Sequence, residues 1–100
     1  MNPTKVKRSQ VTKFTDLPNV GTRTADDLQL LGYREPADLQ GQDPYEMYSR
    51  LCVLTNTKMD PCVIDVFISI TRFADGHVPK PWWHFTAQRK SEMLKRKCGQ

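Results

Sequence analysis

The chain has 100 residues and a mass of 11.6 kDa, enough for one hydrophobic core and too little for two. Hydrophobic residues make up 38% and charged residues 26%, with a mean hydropathy of -0.61. This is a globular composition at its polar end, and apolar runs only a few residues long predict neither a membrane span nor a signal-peptide core. The net charge of +4 is unevenly spread. Lys5, Lys7, Arg8 and Lys13 meet no acid before residue 15, and after residue 79 the bases meet only Glu92, while residues 15–79 are acidic. A polyanion is therefore attracted by the ends and repelled by the average field of the middle.

In chain order, residues 1–14 read as a basic, flexible tail, and residues 15–85 as the folded domain. Thr22, Ala25, Leu28 and Leu31 fall at helical spacing and end at Gly32. A short helical turn fits Pro36 to Gln40. Asp43-Pro44 and Asp60-Pro61 each place a capping carboxylate before a proline at a helix start, and Glu46 makes a capping box with Asp43. From Pro44, Tyr45, Tyr48, Leu51 and Cys52 form an apolar stripe. From Pro61, Val63, Val66, Phe67, Ile70, Phe73 and Ala74 form the stripe of a central core helix, with Asp65, Ser69 and Arg72 on its other side, where Asp65 is expected to be solvated or salt-bridged. Beyond Gly76, Pro79 and Pro81 forbid a continuous helix and predict an extended strap that lays Trp82 and Trp83 on the core as a lid. Thr86 is expected to cap a last basic helix or tail over residues 86–100, with Met93 and Leu94 as its apolar contacts.

The stretch most informative about function is Leu17-Pro18-Asn19-Val20-Gly21-Thr22-Arg23-Thr24-Ala25. Gly21 allows close approach of a ligand to the backbone, Val20 anchors the turn, and the first amides of the following helix offer donors and a positive dipole. Arg23, Thr22 and Thr24 add side-chain donors on that side. The pattern resembles the helix-hairpin-helix signature, with Asn19 in place of the usual first glycine. That resemblance implies contact with the nucleic-acid phosphate backbone through Asn19, Val20, Gly21, Thr22, Arg23 and Thr24. Asp26 and Asp27, one turn further on, work against a bound phosphate. A degenerate second copy is read at the turn Gln40-Gly41-Gln42 and the helix from Pro44, where Asp43 and Glu46 already occupy the helix start and exclude phosphate. The alternative for the first turn is that it, too, is purely structural.

Together with Leu51-Cys52, Asp60-Pro61-Cys62-Val63-Ile64-Asp65-Val66-Phe67 and the paired Trp82-Trp83, the hairpin makes residues 15–90 similar to the pathogenicity-locus family of small bacterial helix-hairpin-helix proteins. The first half is also similar to the C-terminal domain of TfoX proteins. The resemblance implies a compact all-α helix-hairpin-helix domain of about five helices. Relatives in that family carry mitomycin-resistance or nucleic-acid-binding labels.

Three cysteines, Cys52, Cys62 and Cys98, are an odd number and suit a reduced, cytoplasmic setting. With His77 and His84 they supply no Cys-x2-Cys or His-x3-His half-site, so no metal or other cofactor is expected. Cys62 lies near a predicted helix start, which would lower its pKa. Asp60 and Asp65 lie about 140° apart around a helix and cannot act as a dyad. Lys80, Trp82 and Trp83 could instead stack on single-stranded nucleic acid. The sequence thus points to a non-enzymatic module that binds DNA through its backbone. The competing reading is an interaction module for an unidentified protein partner, with no membrane involved.

Overall fold

The computed structural model describes residues 6–98, and within them the chain is all helical. Four α-helices, α1 (Thr22–Leu30), α2 (Pro44–Thr55), α3 (Cys62–Ala74) and α4 (Thr86–Cys98), are joined through short 3-10 turns at Arg8–Gln10, Phe14–Asp16, Pro36–Leu39 and Trp82–Phe85. Three starts match the predicted signals to within a residue. Asp43 Oδ1 accepts the Tyr45 amide at 2.9 Å, and Asp60 Oδ1 accepts the Cys62 amide at 2.8 Å; α1 begins at Thr22. Gly32 and Gly76 close α1 and α3 in the left-handed conformation. Asn56, which the sequence did not single out, does the same for α2 at φ 51°.

The spine is α3. Ile64, Phe67, Ile68, Ile70 and Phe73 are all buried, and so are Asp65, Ser69 and Thr71. A helix enclosed on all sides needs partners on all sides. One side packs into the main core with Phe14, Leu17, Leu28, Leu39, Met47 and Leu51. The other side, expected to face water, instead holds Ile64 and Ile68 against Phe85, with Tyr45, Tyr48 and Met93 around them. Phe85, not the tryptophan pair, is therefore the lid: Trp82 is half-buried, and Trp83 is 60% exposed, meeting Trp82 edge to face at 5.7 Å. The folded region also starts before residue 15, because Phe14 is buried and Val6 and Val11 pack on the core.

The last helix is docked by a buried charge. Asp65 is 0% exposed; its Oδ1 meets Arg89 Nε at 2.9 Å and its Oδ2 accepts the Thr86 hydroxyl at 2.7 Å. Thr86 thus spends its hydroxyl on Asp65 and not on a cap. Hydrogen bonding to Asp65 holds the Arg89 guanidinium above its ordinary pKa. Met93 packs as expected, whereas Leu94 is exposed. Of the two expectations for Asp65, solvated or salt-bridged, the structure gives the salt bridge; its complete burial and the identity of its partner are what periodicity does not record.

The turns before α1 and α2 share a local geometry. Asp16 Oδ2 accepts the Thr12 and Lys13 amides, and Asp38 Oδ2 accepts those of Arg34 and Glu35. Each acid is succeeded by a buried leucine, Leu17 or Leu39, and then by a left-handed residue, Asn19 at φ 67° or Gly41 at φ 73°. Each unit ends in a residue that caps a helix, Gly21 or Asp43. The amides of Val20 and Gln42 return to Leu17 O and Leu39 O, and those of Ala25 and Met47 to Gly21 O and Asp43 O. The first arm of each unit is one 3-10 turn, shorter than a helix.

Removing one partner of the buried pair leaves the other charge unpaired, so Arg89→Ala is expected to cost about 3 kcal/mol, a fall in Tm of more than about 10 °C for a domain of this size. Asp65→Leu combined with Arg89→Met should recover most of that loss in thermal unfolding monitored by circular dichroism. A double variant as unstable as Arg89→Ala would mean that the charges themselves hold α4 in place.

Candidate nucleic-acid interface

The twin turns differ at the helix start. In the second unit Asp43 takes the Tyr45 amide with its own carboxylate, and Pro44 has no amide to offer. In the first unit the capping position is Gly21, with no side chain to accept a bond. The amides of Thr22, Arg23 and Thr24 precede the first helical bond, Ala25 N to Gly21 O at 3.0 Å, and no side chain caps them. Gly21 sits at φ -98°, which any residue adopts, and a Cβ placed there would meet nothing within 4 Å. Neither backbone conformation nor internal packing demands glycine here.

Of the six residues that the sequence assigned to the interface, Gly21, Thr22 and Arg23 are exposed and Thr24 is half-buried. Asn19 and Val20 are turned to other work. Val20 is buried in the core. The Asn19 carboxamide bridges the fold: Nδ2 donates to Ser69 Oγ at 3.0 Å and to Lys80 O at 2.8 Å, and Oδ1 accepts the Trp82 amide at 3.2 Å. Asn19 thus ties the strap to the turn, bringing the Lys80 backbone beside it. The strap reaches the turn at Asn19 and leaves Gly21 to Arg23 uncovered.

Beside this edge lies a groove of about 380 Å³. Arg23, Thr24 and Asp27 of α1 form one wall, residues 57–60 the opposite one, and Cys62, Val63 and Val66 of α3 with Trp82 complete it. Lys58 and Met59 were not foreseen, for nothing in the local sequence marks a loop that becomes a wall only when α2 and α3 fold together. Tyr48 holds that wall by donating its hydroxyl to Met59 O. Burial, with Cys52 and Asp60 nearby, pushes its phenol up to about 12, so it remains a donor. Burial also raises the Asp27 carboxyl, an effect that the Arg23 charge partly offsets.

The Cys62 thiol runs against expectation. Its hydrogen bond to Asp60 raises its pKa, reinforced by burial and by the carboxylates of Asp60 and Asp65 and only partly offset by Arg89. Bonding to the Cys62 amide keeps Asp60 itself below the usual carboxylate range, so it stays charged beside the sulfur.

A family model described as pathogenicity locus matches residues 7–91. The chain belongs to the pathogenicity-locus family. Among curated proteins it is similar to the mitomycin resistance protein McrB of Streptomyces lavendulae, 38% identical over 77 residues, which are 77% of this chain and 73% of the relative. No solved structure matches it. Among the described residues of this family member, no helix is long and apolar enough to cross a membrane, and no cluster of three or more His, Cys, Asp or Glu is placed to hold a metal ion.

In a chain carrying Cys52→Ser and Cys98→Ser, iodoacetamide should alkylate Cys62 slowly at pH 8, with the rate still climbing above pH 9. Adding Asp60→Asn, which keeps a capping side chain and removes its charge, should move that profile to lower pH. An unmoved profile would show that Asp60 does not control the thiol.

Proposed function

We infer that this protein is a non-enzymatic module that binds the phosphate backbone of DNA, without reading its sequence, at the open helix start of α1. The observation that carries the reading is the contrast between the twin turns. One is closed by Asp43 and Pro44, and the other offers the Thr22, Arg23 and Thr24 amides beside an exposed guanidinium. Amides at the positive end of a helix dipole with an arginine beside them favour a phosphate oxygen, and such contacts carry no base information. Lys58 on the groove wall adds positive charge to the same side, against Asp26 and Asp27. The hairpin resembles the helix-hairpin-helix motif, and a relative named for mitomycin resistance supports a role in resisting damage. The two basic ends add non-specific attraction.

The second reading, a protein-interaction module whose hairpins only support the fold, draws on Val53 and Leu54, which stand exposed on α2. The two separate on the same titration. With about three phosphates neutralised, raising salt fourfold should weaken binding to a labelled duplex about fortyfold. Arg23→Glu should weaken it further. Gly21→Ala should change thermal stability by no more than about 1 kcal/mol, because the poorer capping by alanine is offset by the room at the site, the ordinary φ and the stiffer unfolded chain, and yet reduce affinity by obstructing the approach of phosphate. Duplex affinity indifferent to both substitutions would sink the backbone reading and favour the second.

A further inference from the structure

The backbone reading leaves the adjoining groove unused, and the groove's chemistry is that of a base rather than of a phosphate. Val63, Val66, Met59 and Trp82 give it an apolar lining, with Arg23 and Lys58 at its edge. Its volume of about 380 Å³ lies within the range of small-ligand sites and exceeds that of one nucleobase. It is also continuous with the open helix start, since Arg23 and Thr24 belong to both.

The geometry points to a site for one unpaired nucleotide, with its phosphate on the Arg23 end of α1 and its base in the groove against Trp82. The proposal rests on the backbone reading and deepens it, turning a non-selective phosphate contact into one that prefers strands with unstacked bases. Three observations favour this occupant. Base stacking on an aromatic side chain with a cation nearby is the common platform for single strands, and here Trp82 and Arg23 line one cavity. The carboxylate of Asp60 repels phosphate from the rim across from α1, and Asp27 and Asp60 are left as acceptors for the N–H groups of a base edge. Finally, a base inside a duplex is stacked on its neighbours and cannot enter a recess, so only an unpaired one, in a single strand or extruded from damaged DNA, can reach it.

The test uses the full chain with an unpaired oligonucleotide of about eight residues and a blunt duplex as probes. In Trp83→Phe, which isolates the Trp82 signal, the single strand should quench fluorescence and the duplex should not. In the Cys52→Ser, Cys98→Ser chain, the single strand should slow alkylation of Cys62, whose side chain lines the groove; the duplex should leave it unchanged. Trp82→Ala should weaken single-strand binding about five- to hundredfold while duplex affinity stays constant. If that variant fails to fold, protection of Cys62 in the chain with Trp82 intact decides the matter. A single strand that binds without shielding Cys62 and without quenching Trp82 overturns the proposal. Sensitivity of duplex affinity to Arg23→Glu reports on the backbone reading separately, so either can fail alone.

Discussion

One carboxamide fastens the turn before α1, the spine helix and the strap together. Asn19 occupies a left-handed conformation that costs a non-glycine residue about 1 kcal/mol, and its side chain makes three hydrogen bonds to Ser69, Lys80 and Trp82. At about 1 kcal/mol net apiece these offset the strain. A glycine would relieve the strain and lose all three. The turn, the spine helix and the strap are fastened at this point, and this fastening places Trp82 on the groove and Lys80 beside the turn. The fastening uses the side chain of Asn19 and leaves the first amides of the next helix outside the knot.

The twin hairpins show how one local geometry can serve opposite ends. An aspartate that caps a 3-10 turn, a buried leucine and a left-handed residue set the path of the chain in both. The left-handed residue then anchors each unit to the spine region. Asn19 reaches Ser69 through its side chain, and the Gly41 amide donates to Asp75 Oδ1 at 2.8 Å. The capping residue makes the difference between the two units. Asp43 accepts an amide of its own helix, whereas Gly21 has no side chain to accept one.

The basic final helix is brought to this body by an acid with no access to water. Two charges buried together contribute little net stability, but their geometry admits few alternatives, and the Asp65 carboxylate satisfied by Arg89 and Thr86 sets where α4 lies on α3. Phe85, immediately before that helix, completes the second apolar cluster. The positive charge of residues 86–95 is thus mounted on a rigid element in part, with Arg89 spent internally and Lys90 and Lys95 exposed.

The sequence alone was enough for the helices and for most of their ends, the close of α2 at Asn56 excepted. Capping aspartates, prolines at first positions and glycines beyond last turns act over a few bonds, and apolar spacing reports which stripe is buried, so α1, α2 and α3 were legible nearly to the residue. The turn at Gly21 was legible too, because close approach and open donors are local properties. Tertiary structure decided whatever depends on what lies opposite: that Asp65 and Ser69 are enclosed, that Trp83 faces water while Phe85 does not, that Asn19 serves the fold rather than the ligand, and that Cys62 is restrained by Asp60. The groove belongs to the same class, since α1, the residue 57–60 loop, α3 and the strap meet there only after the chain has folded. Periodicity records that a face is polar or apolar; it carries no record of the partner, and a buried charge or a shared cavity exists only between partners.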